Sequence, residues 1–92
     1  MEYTILHNRE KQMFETDLNG EKAYVTYKLS GKEMTITKTF VPKSMEGQGV
    51  ASALVNQVYN YATENELKIF SRCSYATAWL KRHMRYLPIW LF

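Results

Sequence analysis

The first half of the chain alternates apolar with polar residues, a pattern typical of β-strands that place one face on a core. Residues 22–29 are one such segment, and their apolar positions are Ala23, Val25, Tyr27 and Leu29. Residues 34–41 are another, in which one predicted face consists of Met34, Ile36, Lys38 and Phe40. The pattern therefore predicts two strands, each with one apolar face.

Turn sequences separate these segments and set the order of the strands. Residues 12–18 run into Asn19-Gly20, whose tolerance of a positive φ favours a tight hairpin. Ser30-Gly31-Lys32 turns the chain again before the next segment begins. The sequence predicts an antiparallel meander of three strands, with residues 3–7 as an additional edge strand.

The third strand ends at Val41-Pro42, because proline lacks the N–H group that a sheet needs, and the periodicity then becomes helical. Apolar residues recur at i, i+3, i+4 and i+7 in one stripe, which is made of Ala51, Leu54, Val55, Val58, Tyr61 and Ala62. This helix ends near Glu64-Asn65, a strand follows over residues 67–73, and Ser74 caps a second helix over residues 75–83. Because a helical crossover joins them, we expect the last strand to lie parallel to the third.

The composition predicts one folded domain that covers residues 1–92. With 46% hydrophobic residues, the chain is too apolar for a disordered protein, and its length supports one core. The longest apolar run, residues 87–92, is far shorter than the roughly 20 residues that span a bilayer. The N-terminus lacks a signal-peptide pattern, and the only cysteine, Cys73, excludes an intramolecular disulfide. We therefore expect a cytoplasmic protein that does not reside in a membrane.

The positive charge is concentrated near the C-terminus. Residues 67–92 contain no acidic side chain, and their basic residues are Lys68, Arg72, Lys81, Arg82 and Arg85. Such a segment predicts an anionic partner, either a phosphate-bearing ligand or a nucleic acid. A solvated basic face without any partner is the alternative.

The most informative segment is the loop between the third strand and the first helix, which contains Gly47 and Gly49. Glycine lets the backbone approach a ligand closely, and the first N–H groups of a helix, here in residues 47–52, have no partner within the helix. A Walker loop is excluded because no Lys-Ser or Lys-Thr follows the second glycine. A dinucleotide-binding loop is excluded because its third glycine is missing. The loop predicts a phosphate site, with a turn that only needs a flexible backbone as the alternative.

Several motifs in this order resemble those of the GNAT acetyltransferase superfamily, in particular its minimal single-domain branch. They are Val41-Pro42, the glycine loop with its Val-Ala-Ser start of a helix, the strand end Cys73-Ser74-Tyr75, and the helix end Arg82-His83. The resemblance covers nearly the whole chain. It implies an α+β fold of the acyl-CoA N-acyltransferase type, with α, β and α layers. In that fold the pantetheine arm of acetyl-CoA enters a splay between the third strand and the last.

The resemblance also implies which residues bind acetyl-CoA or CoA. The backbone of Phe40 and Val41 pairs with the pantetheine arm. The pyrophosphate lies on a loop formed by Glu46, Gly47, Gln48, Gly49, Val50, Ala51 and Ser52. Arg82 contacts the 3′-phosphate or, alternatively, is a solvated arginine. Glu46 stands where the family usually has Arg or Gln, so we expect its carboxylate to point outward.

Cys73 and Tyr75 are the candidate catalytic residues. Cys73 ends the strand beside the splay, where a helix N-terminus and Arg72 would lower the pKa of its thiol and allow an acyl-cysteine or a proton relay. The alternative is a small buried residue. Tyr75 is a second candidate proton donor or a packing aromatic residue. The family's usual acid and base are missing, since Leu80 and Lys38 stand at those positions, and no metal site is expected.

The leading hypothesis is an acetyl-CoA-dependent N-acetyltransferase whose acceptor is an amine on a small molecule or a protein. A non-catalytic CoA or acyl-CoA binding module is the second hypothesis. A basic nucleic-acid-binding domain, with Tyr75, Trp79 and Tyr86 between its basic residues, is the least favoured. The apolar residues 86–92 either cover the sheet or form a homodimer contact.

Overall fold

A computed structural model describes residues 4–83 as one five-stranded sheet with two helices. The elements are β1 (Leu6–Asn8), β2 (Met13–Leu18), β3 (Glu21–Ser30), β4 (Glu33–Phe40), a 3₁₀ turn (Lys43–Met45), α1 (Val50–Glu64), β5 (Lys68–Ser71) and α2 (Ser74–His83). The strands lie in the order in which they occur along the chain. The first four are antiparallel neighbours, and β5 pairs with β4 in parallel. The predicted meander and the helical crossover to a parallel strand are confirmed.

The buried residues of the strands lie on one face of the sheet. Partners in neighbouring strands point to the same face, and Val25 pairs with Phe14, while Met34 pairs with Ile69. All four are at most 4% exposed. The helices add to the same cluster through the α1 residues Val50, Leu54, Val55, Val58 and Ala62 and the α2 residues Ala76, Trp79 and Leu80. Both helices described within residues 4–83 pack into this one cluster. Neither of them has the length and hydropathy of a membrane-spanning segment.

A β-bulge near the end of β4 changes which side chains face the core. Thr26 pairs with Lys38, but the next residue of β3 pairs with Ile36, so Thr37 is one extra residue on β4. The alternation predicted Lys38 and Phe40 on the same face as Ile36, and this prediction is wrong. Beyond the bulge the faces are exchanged, so Phe40 is 42% exposed and Thr39 pairs with the fully buried Val25.

Two smaller expectations at the strand ends also change. Leu29 was predicted to be buried, but it is 39% exposed because β2 pairs with β3 only as far as Thr26. The edge strand covers Leu6–Asn8 rather than residues 3–7, of which residue 3 lies outside the described part of the chain. The apolar residues 86–92, with their predicted role in covering the sheet or in a dimer, lie outside it as well.

Candidate functional site

A cleft of about 510 Å³ lies where the end of β4 meets the start of α1. Its lining residues are Thr39, Phe40, Val41, Met45, Glu46, Gly47, Gly49, Val50, Ala51, Ser52 and Tyr75. The cleft is therefore formed by the carboxyl end of a central strand, the glycine loop, the first turn of α1 and one residue of α2. Ligands of α/β sheets bind at such carboxyl ends.

The glycine loop owes its shape to one buried side chain and two left-handed residues. Met45, the only apolar residue between Pro42 and Val50, is 2% exposed and fixes the loop to the core. Gly47 and Gly49 have φ values of 78° and 80°, a region that glycine adopts without strain. Met45 was not predicted as an anchor from the sequence, although a single apolar residue in a polar loop is a usable signal for one.

The first turn of α1 presents unpaired backbone donors to this cleft. Gly49 is the N-cap residue, and its carbonyl accepts the N–H of Ala53 at 3.0 Å. No side chain caps the helix, so the N–H groups of Val50, Ala51 and Ser52 have no partner within it. Together with the helix dipole they attract negative charge. The lining residues in the described part of the chain include the exposed Glu46 and no Lys or Arg, so backbone groups supply the attraction.

Most of the residues predicted to bind the cofactor do line this cleft. They are Phe40, Val41, Glu46, Gly47, Gly49, Val50, Ala51 and Ser52. Gln48 is not in the lining, and its side-chain amide donates to the carbonyl of Ser44 at 3.2 Å. Arg82 is exposed on the second half of α2, also outside the lining.

Cys73 lies at the junction of β5 and α2, where several donors converge on its sulfur. The thiol donates to the hydroxyl oxygen of Thr39 at 3.6 Å, and the same hydroxyl donates to the sulfur once the thiol is ionised. Burial by itself raises the pKa of the Cys73 thiol, but hydrogen bonds from the N–H of Ala76, the Thr39 hydroxyl and the N–H groups of Tyr75 and Thr39 outweigh it. The net effect is a pKa below the ordinary value of a cysteine, which favours the thiolate.

Two expectations about this junction are wrong. The carbonyl of Cys73 accepts the N–H of Thr77 at 2.9 Å, so Cys73 rather than Ser74 is the N-cap residue, and Ser74 is the first residue of α2. Arg72 does not contribute to the lowered pKa of the thiol. Its neighbour Ser71 is fully buried, and because successive side chains of a strand alternate, Arg72 points to the opposite face of the sheet.

A buried hydroxyl network holds the backbone of Cys73 in place. The Ser71 hydroxyl donates to the carbonyl of Cys73 at 3.0 Å and accepts the N–H of Cys73 at 3.2 Å. The Thr77 hydroxyl in turn donates to the Ser71 oxygen at 3.0 Å. Every buried side-chain N or O atom in residues 4–83 has a hydrogen-bond partner. The strand-to-helix junction is therefore held by hydroxyl groups of both β5 and α2.

Thr39 is a site residue that was not predicted from the sequence. It lines the cleft and contacts the sulfur of Cys73, because the bulge at Thr37 places it on the same face of the sheet as Val25. No signal in the strand pattern marks the bulge, since the alternation assigns Thr39 to the other face. Thr39 and Tyr75 are the residues that connect the thiol to the cleft, whereas Cys73 itself is half-buried and not in the lining.

Other chemistry finds less support in the described residues. No three His, Cys, Asp or Glu side chains converge there in a group that could hold a metal ion. Trp79 is 3% exposed, so its ring is not available for stacking on a nucleic-acid base. This removes one of the aromatic residues on which the nucleic-acid hypothesis depended.

Comparisons with known proteins identify one family. The sequence profile of the GCN5-related N-acetyl-transferase family matches residues 13–89. "Protein NATD1" of Xenopus tropicalis is 29% identical over 80 residues, which are 84% of this chain and 73% of that protein. "Protein NATD1" of Homo sapiens is also 29% identical over 80 residues, covering 84% of this chain and 71% of that protein. A solution NMR structure of a GCN5-like protein of Staphylococcus aureus, proposed to be an N-acetyltransferase, superimposes with a TM-score of 0.73. It is 32% identical and covers 97% of this chain and 88% of that one.

Proposed function

The chain belongs to the GCN5-related N-acetyltransferase family, and from that premise we propose that it transfers the acetyl group of acetyl-CoA to an amine. The cleft at the end of β4 is the observation that carries this proposal. Its unpaired helix N–H groups suit an anionic portion of a ligand, and the backbone at the end of β4 suits a portion that contains amide groups. The acceptor is an amine on a small molecule or on a protein.

The residues of the cleft fit coenzyme A. A Cβ added at Gly47 or Gly49 meets no protein atom within 4 Å, so space beside the loop is open to a ligand. Residues Val50, Ala51 and Ser52 offer donors for the pyrophosphate, and the backbone of Phe40 and Val41 offers partners for the amide-bearing pantetheine arm. When bound, acetyl-CoA supplies a thioester, an acetyl group activated for attack by a nucleophile.

Cys73 and Tyr75 are the residues that we assign to the chemistry. The Cys73 thiolate forms a new C–S bond to the acetyl carbon while the original thioester C–S bond breaks, and the departing sulfur takes a proton. The hydroxyl of Tyr75, which is 38% exposed and lines the cleft, is the donor proposed for that proton. The acceptor amine then takes the acetyl group from Cys73, and the proton that the amine loses returns to the phenolate of Tyr75, so the Cys73 thiolate and the Tyr75 hydroxyl are both regenerated. Direct attack of the amine, with Cys73 only relaying a proton, is the alternative route.

The positions of Lys38 and Leu80 support the assignment of the chemistry to Cys73 and Tyr75. Lys38 is exposed and outside the lining of the cleft, and Leu80 has no titratable group, so neither is suited to act as the acid or base of the reaction. Among the lining residues of the described chain, Tyr75 is the one with an ionisable hydroxyl. Glu46 is the other titratable residue in that lining, so the chemistry has few other candidates.

The test is transfer itself. The protein is incubated with acetyl-CoA and a panel of amines, namely a polyamine, a small primary amine and a lysine-containing peptide, and products are followed by mass spectrometry. We expect an acetylated product, and an acetyl-sized mass increase on the protein when no amine is present. Cys73→Ser should abolish this increase, and Tyr75→Phe should slow transfer while the protein still binds acetyl-CoA. Transfer that Cys73→Ser leaves unchanged would contradict the assignment of Cys73.

A second candidate function is a CoA or acyl-CoA binding module without catalysis. Two departures from the family pattern favour it: Glu46 stands where Arg or Gln is usual, and no acid stands at the position of Leu80. The two functions differ in turnover. Stoichiometric binding of acetyl-CoA without any acetylated product, across the whole amine panel, would favour the binding module.

A further inference from the structure

The indole ring of Trp79 is held in one orientation beside the cleft. The side chain is 3% exposed, and the ring of His83 stacks on it with centroids 4.0 Å apart and planes 11° from parallel. Nδ1 of His83 donates to the carbonyl of Trp79 at 2.8 Å, which fixes the stacked ring. Tyr59 of α1 contacts the indole with ring centroids 6.0 Å apart. The direction of the indole N–H is therefore set by its surroundings.

That N–H group determines how the hydroxyl of Ser52 is used. Nε1 of Trp79 lies 2.9 Å from Oγ of Ser52. An indole nitrogen is only a donor, so the Ser52 oxygen is the acceptor in this bond. The single proton of the hydroxyl is then directed elsewhere, and no acceptor for it is found within residues 4–83. Ser52 lines the cleft, in the first turn of α1.

We propose that Trp79 is a positioning residue that makes Ser52 an O–H donor to a phosphate oxygen of the bound coenzyme. This proposal rests on the proposed function, because it takes coenzyme A as the ligand of the cleft. A serine in a first turn, without such a neighbour, is able to rotate and to use its hydroxyl in local hydrogen bonds with backbone groups. The indole N–H donates to the Ser52 oxygen, so the proton of the Ser52 hydroxyl is left for an anionic partner. Ser52 then discriminates phosphorylated ligands from their unphosphorylated analogues.

The position of the two residues in the fold makes this arrangement effective. Ser52 belongs to α1 and Trp79 to α2, so the hydrogen bond joins the two helices whose N-termini lie near the cleft and near Cys73. The phosphate end of the site is thereby tied to the helix that begins at the thiol. A hydrogen bond from a neutral group to a charged oxygen contributes enough to change affinity by about 10- to 100-fold.

The test compares CoA with pantetheine, which lacks the phosphates, by calorimetry and by NMR titration. Ser52→Ala should weaken CoA binding by about tenfold and leave pantetheine binding unchanged. Ser52→Thr, which retains the hydroxyl, should bind CoA within about threefold of the wild-type protein. Trp79→Phe, which keeps a buried ring but has no N–H, should weaken CoA binding by several-fold. In the double variant the two losses should not add, because both remove the same donor.

A spectroscopic readout tests Trp79 without depending on the stability of a variant. The indole N–H resonance of Trp79, identified against that of Trp90 through the variant Trp90→Phe, should shift on addition of CoA and not on addition of pantetheine. Equal CoA affinities of wild-type protein and Ser52→Ala would overturn the proposal, and so would an indole resonance that CoA leaves in place. A wild-type protein that binds no CoA would overturn the proposed function together with it.

Discussion

Replacing Gly49 with alanine is expected to destabilise the protein through backbone strain alone. Gly49 is the N-cap residue of α1, with φ 80° and ψ 12°, in the left-handed region. A Cβ at this position meets no protein atom within 4 Å. The new methyl group therefore neither overpacks the loop nor fills a void, and the conformational preference of residue 49, in the folded and the unfolded chain, is the term that changes.

The expected magnitude follows from that single term. Placing an L-residue in the left-handed region costs about 1–2 kcal/mol, so Gly49→Ala should lower the free energy of unfolding by about this amount. Asparagine tolerates this region better than alanine, and a β-branched residue tolerates it less. We therefore expect the loss of stability to increase from Gly49→Asn to Gly49→Ala and then to Gly49→Val.

Urea unfolding followed by circular dichroism measures these losses, and Gly31→Ala is the matched control. Gly31 also has a positive φ, 59°, and also leaves free space around an added Cβ, but it lies in the hairpin turn after β3. Both alanine variants should lose similar stability, while only Gly49→Ala should weaken CoA binding. A stable Gly49→Ala, or a Gly49→Asn as unstable as Gly49→Val, would refute the argument that backbone conformation selects glycine at position 49.

Three further predictions concern the thiol, the edge strand and the core. Thr39→Val removes a hydrogen bond to the Cys73 thiolate worth about 1 kcal/mol, so alkylation of Cys73 at neutral pH should slow by about fivefold; an unchanged rate would contradict the assigned contact. His7 stacks on Phe14 and hydrogen-bonds the Tyr27 hydroxyl, and burial, followed by the charge of Arg9, lowers its pKa below 6.5. His7 therefore takes up a proton more readily in the unfolded chain than in the folded one. The free energy of unfolding, measured in urea, should be highest above about pH 7 and should fall as the pH decreases through 6.5. The variant His7→Phe should lack this pH dependence. Leu54→Ala empties a completely buried position and should cost about 3 kcal/mol in the same assay, with a loss below about 1 kcal/mol contradicting the packing.

The main elements could be predicted from the sequence because their periodicities are local. The repeat of two in residues 22–29 and the helical stripe from residue 51 to residue 62 depend only on which side chains share a face. The bulge at Thr37 could not be predicted in this way. A bulge is defined by the register with a partner strand, and the threonines on both sides of it fit either face. The positions of Lys38 and Phe40 were therefore predicted wrongly.

The candidate site was predictable where backbone geometry dominates. Glycines at 47 and 49, ahead of a helix, indicated a loop with free N–H groups, and the loop does line the cleft. The surroundings of Cys73 were less predictable, because they change when the start of the helix moves by a single residue. The N-cap lies at Cys73 rather than at Ser74, and the alternation of β5 turns Arg72 away. Thr39 reaches the sulfur only through a non-local register shift.

The central claim is that the cleft between β4 and α1 binds the coenzyme. It is tested most directly by titrating isotope-labelled protein with CoA and following the backbone amide resonances. We predict one binding site, with the largest shifts in residues 39–52 and at Tyr75, and no comparable shifts around the distant edge strand β1. Unchanged spectra at millimolar CoA, or shifts centred outside the cleft, would contradict the account.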